Sequence, residues 1–160
     1  MTRIAFMGTP DFAVPSLDAL VSAGYDVAGV FCQPDRPSGR HNRLVPGPVK
    51  QRALELGIPV FQFERLRRQE GLDALRALKP DLAVTAAFGQ ILSQRGLDIP
   101  KIGTVNVHAS LLPAYRGPAP INWAIARGET VTGVTTMMTD RGIDTGDILL
   151  QRETPILPEE

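Results

Sequence analysis

Short, continuous apolar runs alternate with amphipathic stretches along this chain, and this alternation constrains the fold more than any other feature. Residues 4–7 and 27–32 are apolar runs of the kind that form buried β-strands. Between such runs, apolar residues recur at helical spacing, as Leu72, Leu75 and Leu78 do. Strands separated by helices predict an α/β domain with a Rossmann-like, doubly wound, mostly parallel sheet. Ligands of such sheets bind beyond the carboxyl ends of the strands, near the point where the strand order reverses.

The same patterns locate the remaining elements. Further strands are predicted at residues 60–61, 82–87, 104–108, 133–138 and 148–150. Helices are predicted at residues 14–21, 49–56, 72–78 and 119–126, with a short one before Gly96. Residues 33–47 contain three prolines and two glycines, and this composition predicts a loop.

Net charge and cysteine content narrow the class of protein. Lys and Arg number 17, and Asp and Glu number 17, so the chain as a whole has no electrostatic attraction for nucleic acid. Any affinity for RNA must therefore come from local charge. Cys32 is the only cysteine, and we expect it to be a buried filler rather than a nucleophile. The absence of a secretory signal and of an apolar run of about 20 residues predicts a soluble, cytoplasmic protein with no membrane partner.

The turn after the first predicted strand argues against a nucleotide cofactor. A dinucleotide-binding turn needs three glycines, for the tight turn, the approach of the pyrophosphate and the packing of the helix. The segment Gly8–Ala13 has one glycine, and Pro10 lacks the N–H group that a phosphate would need. The sequence also has no phosphate-binding loop of the G-x-x-x-x-G-K-[ST] type. These observations disfavour a nicotinamide enzyme and a nucleotide hydrolase.

Asn106 and His108 are the residues best placed for chemistry. They lie two positions apart at the end of a predicted strand, so strand geometry puts both on one face of the sheet. An amide donor beside an imidazole can stabilise a developing oxyanion and transfer a proton. The spacing alone leaves a second interpretation open, in which both side chains satisfy nearby backbone groups.

The segment Asp140–Asp147 is a second polar cluster, with two glycines and three acidic residues. This composition predicts a tight turn after a strand, and it does not fit a calcium-binding loop. One carboxylate of the turn could reach His108 and tune it, whereas acidic turns of this kind are usually only turns. No metal site is predicted, because His41 and His108 are far apart in sequence and no Cys/His cluster exists.

Five motifs occur together in one order: Gly8–Ala13, Phe88–Leu92, Asn106–Pro113, Tyr115–Gly117 and Asp140–Gly146. In this combination the chain resembles the 10-formyltetrahydrofolate-dependent formyltransferases, and among them the methionyl-tRNA formyltransferase family. The resemblance implies transfer of the formyl group of 10-formyltetrahydrofolate to the α-amine of methionyl-initiator tRNA, in translation initiation.

The resemblance assigns roles to particular residues. It implies that Asn106, His108 and Asp144 are catalytic, with Asn106 and His108 donating hydrogen bonds to the oxyanion and Asp144 polarising His108. It implies a folate site formed by two segments of four residues each: Phe88, Gly89, Gln90 and Ile91 at the pterin end, and Ser110, Leu111, Leu112 and Pro113 as its wall.

A basic segment resembles the loop with which this family contacts the acceptor arm of tRNA. Residues 35–52 carry five Lys or Arg against one acidic residue, which is enough local charge to contact phosphates. The resemblance implies that Arg36, Arg40, Arg43 and Lys50 bind tRNA, whereas a solvated basic loop is the alternative.

Two alternative functions are left open. A formyltransferase that acts on an amino sugar nucleotide would keep Asn106, His108 and Asp144, although that branch lacks the first motif and the basic segment. The other alternative is a non-catalytic module that binds folate or RNA. Members of the resembled family continue well past Pro158, so the resemblance implies that residues 1–160 are a truncated catalytic domain, without the β-barrel tRNA-binding domain, and we expect a monomer.

Overall fold

A computed structural model describes residues 1–39, 41, 43–140 and 145–157, and the chain divides into two compact units, Met1–Thr104 and Val105–Glu160. The strands in the first unit are β1 (Arg3–Gly8), β2 (Asp26–Cys32), β3 (Arg36–Ser38), β4 (Arg43–Val45), β5 (Val60–Gln62) and β6 (Leu82–Ala86). Its helices are a 3-10 helix (Asp11–Ala13), α1 (Val14–Ser22), α2 (Pro48–Glu55), α3 (Gln69–Ala77) and α4 (Gln94–Leu97). The remaining elements are β7 (Gly103–His108), α5 (Pro120–Ala126), β8 (Val131–Met138) and β9 (Ile148–Pro155).

The sheet of the first unit is parallel, with the strand order β5-β2-β1-β6. Successive side chains of β1 point to opposite faces of the sheet, yet Ile4, Ala5, Phe6 and Met7 are all at most 1% exposed. Ala5 and Met7 share a core cluster with Leu75 of α3, so Ile4 and Phe6 face the other side. Burial on both faces is what a parallel sheet covered by helices requires, and it confirms the α/β prediction.

The strand order reverses at β1, because β2 and β5 extend the sheet on one side and β6 extends it on the other. Ligands of open α/β sheets bind beyond the carboxyl ends of the strands at such a point. Gly8 is needed there for close approach, since a Cβ atom would lie 2.8 Å from both the Ala13 Cβ and the Ala86 carbonyl oxygen. The glycine of the first motif therefore serves packing.

Aromatic and aliphatic side chains fill the core next to this edge. Phe31 and Phe61 stack with ring centroids 5.0 Å apart. Phe31 and Phe88 belong to the cluster that contains Leu75, and Phe88 is 6% exposed. Each such buried side chain contributes about 1.5–3 kcal/mol relative to exposure. Phe88 is thus part of the hydrophobic core as well as of the segment predicted to bind folate.

The second unit contains an antiparallel sheet in the order β7-β8-β9. Gly133, Thr135 and Met137 form the buried face of β8, and the residues between them are less buried. Every residue of β9 is exposed. The strand continues to Pro155, beyond the predicted residues 148–150. Because it is exposed, its polar side chains stay in contact with water and lose no hydration when the strand forms.

The loop prediction for residues 33–47 was wrong, because β3 and β4 form an antiparallel hairpin within that range. Arg36 pairs with Val45, and Pro37 pairs with Leu44. A proline fits this position because both strands of a two-stranded ribbon are edges, where a missing N–H group is tolerated. Elsewhere the described strands and helices lie where the sequence predicts them, to within a few residues.

None of the helices within the described residues is long and apolar enough to cross a membrane.

The prediction that Cys32 is buried is confirmed, since the side chain is 2% exposed at the end of β2. Burial raises the pKa of the thiol from its ordinary value of 9.0 to about 11, with Lys50 acting against the shift and Asp35 adding to it.

Cys32 should therefore react slowly in the folded protein. We expect iodoacetamide at pH 8 to alkylate the folded chain about 100-fold or more slowly than the urea-unfolded chain, because a pKa raised by two units removes most of the reactive thiolate. Mass spectrometry of timed samples measures both rates, and similar rates would contradict the burial.

The same shift predicts a pH dependence of stability. Above pH 9 the unfolded chain loses the thiol proton while the folded protein keeps it, so the free energy of unfolding falls as the pH rises from 9.0 to about 11. The Cys32→Ala variant lacks this contribution, and we expect a shallower decline in its urea-unfolding free energy over that range.

Candidate active site

Side-chain hydrogen bonds join the ends of β1, β2 and β6 in the first unit. The Thr9 hydroxyl donates to the Phe88 carbonyl oxygen over 3.2 Å and accepts from the Gln33 N–H, also over 3.2 Å. The Gln33 amide nitrogen donates to the Gly89 carbonyl oxygen over 2.9 Å. These bonds fix the segment after β6, which begins the predicted folate site.

Gln90 holds the same segment from its other side. Its amide oxygen accepts from the Leu66 N–H at 2.8 Å, and its amide nitrogen donates to the Phe63 carbonyl at 2.8 Å and to Gln33 Oε1 at 3.0 Å. A glutamine amide has two donor hydrogens and two acceptor lone pairs, and three of these four are used here. The side chain of Gln90 is therefore a structural clamp.

The segment 88–91 offers a ligand few side chains. Phe88 is core and Gln90 is a clamp, while Ile91 is 76% exposed. Gly89 has φ +83°, and a Cβ atom there would lie 2.8 Å from the Gln33 amide nitrogen. The groups available to a ligand are consequently backbone N–H and C=O groups and the apolar side chain of Ile91.

The predicted tRNA-binding cations differ in their surroundings. Lys50 forms an ion pair with Asp35 at 2.8 Å, and the two side chains are 20% and 23% exposed. The Lys50 hydrogen bond, assisted by one from Gln62, lowers the pKa of Asp35. Arg36 lies 3.6 Å from Glu64 with both side chains exposed, and Arg43 is exposed on β4, whereas Arg40 lies outside the described residues.

Asn106 and His108 lie where the sequence predicts them, near the carboxyl end of β7. Asn106 is partly buried and pairs with Met137 across the sheet, and His108 is 7% exposed and pairs with Thr135. His108 Nε2 is 2.8 Å from the carbonyl oxygen of Tyr115. A carbonyl only accepts hydrogen bonds, so this contact keeps a hydrogen on Nε2.

A buried hydroxyl organises the loop that follows β7. Thr135 is 0% exposed, and its Oγ1 donates to the Ser110 carbonyl oxygen at 2.6 Å. It accepts from the Leu112 N–H at 3.1 Å and from the Gln151 amide nitrogen at 3.0 Å. Gln151 also donates to the Leu112 carbonyl oxygen at 2.8 Å. One donor and two acceptor sites are all that a hydroxyl has, so Thr135 is fully satisfied.

The four residues of the predicted folate wall fall into two pairs. Ser110 is 0% exposed, with its hydroxyl donating to the Ala114 carbonyl oxygen at 2.6 Å, and Leu112 is 5% exposed. Leu111 is partly buried against Gly133, and Pro113 is exposed. Ser110 and Leu112 therefore hold the loop, while Leu111 and Pro113 are the pair accessible to a ligand.

Sequence reasoning missed Thr135, Gln151, Gln33 and the Tyr115 carbonyl. A signal existed for Thr135, because it is a polar residue in phase with the buried Gly133 and Met137 of its strand.

Asp144 lies outside the described residues. The Thr145 hydroxyl donates to Asp140 Oδ1 at 2.8 Å. In the described part of the chain, no three His, Cys, Asp or Glu residues group closely enough to hold a metal ion.

The formyl transferase family matches residues 2–160. The chain belongs to this family. It is 58% identical over 158 residues to a methionyl-tRNA formyltransferase of Geobacter sulfurreducens, a match that covers 99% of this chain and 50% of the relative. The chain thus spans about half the length of the curated relatives it matches.

Solved structures confirm the fold class. A glycinamide ribonucleotide transformylase from Geobacillus kaustophilus matches with a TM-score of 0.79 and 29% identity over 100% of this chain and 86% of that one. A phosphoribosylglycinamide formyltransferase from Bacillus halodurans matches with a TM-score of 0.79 and 26% identity, over 99% of this chain and 82% of that one. The family thus has the Rossmann-like, mostly parallel fold that the sequence predicts.

Replacing Thr135 should destabilise the loop after β7. In Thr135→Val, Leu112, Gln151 and Ser110 lose a buried partner, and each such loss costs about 1–3 kcal/mol. We expect the free energy of unfolding to fall by about 2–4 kcal/mol, measured by urea denaturation. Thr135→Ser keeps the hydroxyl and should lose no more than about 1.5 kcal/mol. Equal stability of the two variants would show that the hydroxyl does not organise the loop.

Proposed function

We propose that the protein transfers the formyl group of 10-formyltetrahydrofolate to the α-amine of methionyl-initiator tRNA in the cytoplasm, as a monomer. The observation that carries this proposal is the 58% identity to a methionyl-tRNA formyltransferase over 99% of the chain. The geometry supports it, because Asn106 and a nearly buried His108 lie together at the end of β7.

The reaction needs donors for a developing negative charge. The amine nitrogen bonds to the formyl carbon, the carbonyl oxygen becomes an oxyanion, and the bond from carbon to the folate nitrogen then breaks. Asn106 would donate one hydrogen bond to the oxyanion and His108 another. His108 Nε2 lies 2.8 Å from the Tyr115 carbonyl, so this nitrogen carries the hydrogen that His108 would donate to the oxyanion in place of that carbonyl.

The proton lost by the amine must reach the nitrogen of the leaving folate. Asp144 is the residue we assign to this transfer, through water, and to holding and polarising His108. A free α-amine has a pKa of about 7.7–8.0, so a carboxylate and water are a sufficient base. No oxidation or reduction takes place, and the proposed reaction requires no metal.

The folate co-substrate would contact backbone groups and apolar side chains. The backbone N–H and C=O groups of residues 88–91 suit the donors and acceptors of a pterin ring. Ile91 in the first unit and Leu111 and Pro113 in the second offer accessible apolar surface. Ser110, Leu112, Phe88 and Gln90 would support this site by fixing the backbone around it.

The hairpin of β3 and β4, which lies in the basic segment 35–52, would contact the phosphates of the tRNA. Arg43 and Arg36 are exposed, and Arg40 belongs to the same segment. Lys50 is already paired with Asp35, so we expect it to contribute less to RNA binding than the arginines. Removing Lys50 would instead leave the Asp35 carboxylate without its cation.

The structural similarity to transformylases of glycinamide ribonucleotide favours one further candidate acceptor, the amine of that nucleotide. An acceptor panel separates the possibilities. It contains methionyl-initiator tRNA, glycinamide ribonucleotide and an amino sugar nucleotide, each with labelled 10-formyltetrahydrofolate. Transfer to one of the two small acceptors and none to the tRNA would overturn the proposal, and folate binding without any transfer would favour the non-catalytic alternative.

Loss of either oxyanion donor should slow the reaction. We expect Asn106→Ala and His108→Ala each to lower kcat by about 10²–10³-fold with little change in KM, because the contacts form only in the transition state. Asn122→Ala is a matched control on an exposed residue and should keep the wild-type kcat. Near-full activity of His108→Ala or Asp144→Asn would show that the catalytic assignment is wrong.

Charge reversal on the hairpin should weaken binding of the tRNA. We expect Arg43→Glu to raise KM for methionyl-tRNA about tenfold at low salt and to reduce the slope of log affinity against log salt by about 0.7–0.9, the effect of one lost phosphate contact. Arg95→Glu changes an exposed arginine of α4 and serves as the control. Identical salt slopes for the two variants would argue against the hairpin as an RNA contact.

A further inference from the structure

The second unit contains a cavity that the proposed chemistry does not use. It is open to the surface and measures about 530 Å³, and Tyr115, Arg116, Pro118, Trp123 and Arg127 are among the residues that line it. Small-molecule sites in proteins usually measure about 300–1,000 Å³. We infer that this cavity binds the 3′-terminal nucleotide of the acceptor RNA, with its base stacked on Trp123 and its phosphate held by Arg116 and Arg127; the inference rests on the proposed function.

Trp123 is placed to stack rather than to stabilise the core. Its side chain is 55% exposed, and the buried residue of α5 is its neighbour Ala124. A large aromatic ring left this open to solvent forgoes much of the free energy that burial would give it. Aromatic side chains at single-stranded RNA sites present such a face, because every base can stack on it.

The charges around the cavity favour an anion. Arg116 and Arg127 are both exposed at its wall, and Glu129 is the acidic residue among the lining groups. The Tyr115 hydroxyl donates to the Glu129 carboxylate at 2.9 Å, and the Arg127 guanidinium lies 5.9 Å from the centroid of the Tyr115 ring. Two guanidinium groups beside one engaged carboxylate leave a net positive charge, and a guanidinium donates two parallel hydrogen bonds to a phosphate.

Tyr115 connects the cavity to the reaction centre. Its side chain lines the cavity, and its carbonyl oxygen is 2.8 Å from His108 Nε2. The residue has φ +55°, a conformation that a bulky side chain adopts only when its contacts hold it there. In an aminoacyl-tRNA the reacting amine belongs to an amino acid esterified to the terminal ribose. A site for the terminal nucleotide must therefore lie near the catalytic imidazole, and Tyr115 links this cavity to His108 through that one contact.

The binding can be measured directly, because Trp123 is the only tryptophan in the chain. We expect a ribotrinucleotide that ends in adenosine to quench the tryptophan fluorescence in a saturable way. Arg127→Ala should weaken the apparent affinity about tenfold, and Arg152→Ala, a change of an exposed arginine on β9, should leave it unchanged. No saturable quenching by the RNA, or quenching that Arg127→Ala leaves unchanged, would overturn the inference, as would quenching by 5-formyltetrahydrofolate alone.

Steady-state kinetics separates this inference from the proposed function. Trp123→Ala should raise KM for methionyl-tRNA about tenfold or more with kcat nearly unchanged, and Trp123→Phe should restore part of the affinity. Ile121→Ala, on an exposed residue of the same helix, should behave as the wild-type chain does. An unchanged KM in an active Trp123→Ala variant overturns the inference that the cavity binds the terminal nucleotide. The same result leaves the proposed formyl transfer unaffected. RNA quenching in a chain that transfers no formyl group supports the cavity and overturns the proposed function.

Discussion

The burial of β1 on both faces determines how the first unit is built. Ile4, Ala5, Phe6 and Met7 are at most 1% exposed, so apolar side chains must cover both sides of this strand, and its backbone groups must pair with neighbouring strands on both edges. The parallel strands β2 and β6 pair with the two edges of β1 and so satisfy its backbone groups. Since β1 lies between them, the strand order reverses at β1. Where the strands end, the loops diverge and leave backbone groups that the pairing no longer satisfies. The polar residues at this edge follow from that constraint.

Most of those polar residues serve the backbone before they serve a ligand. Gln90, Gln33 and Thr9 use their hydrogen-bonding groups to hold the segment after β6, and Thr135 does the same for the loop after β7. An unsatisfied buried donor or acceptor costs about 1–3 kcal/mol, so such side chains are committed in the folded state. What this arrangement presents to a ligand is a fixed backbone, which suits recognition of a flat, hydrogen-bonding ring.

The apolar pattern was sufficient to predict the strands and helices of the core, because burial alone decides which residues can form them. It failed for β3 and β4, since prolines and glycines signal a loop even though pairing depends on partners such as Pro37 and Leu44 across the hairpin. The spacing of Asn106 and His108 located the candidate site, and family resemblance supplied the roles. Thr135 escaped because its partner Ser110 is 25 positions away, a relation that no local pattern contains.

Tyr115 makes the proposed acceptor site and the proposed reaction centre depend on each other. Its carbonyl holds the His108 ring, while its hydroxyl and ring contact Glu129 and Arg127 at the cavity wall. A nucleotide that contacts Arg127 changes the charge next to the Tyr115 ring, and the peptide of Tyr115 is one hydrogen bond away from the imidazole. Orientation of the acceptor and orientation of the catalytic donor then share one residue, so a misplaced acceptor also lacks a well-placed donor. A contact that only anchors the base, such as the one assigned to Trp123, then acts on KM, whereas an acceptor that disturbs Tyr115 also lowers kcat.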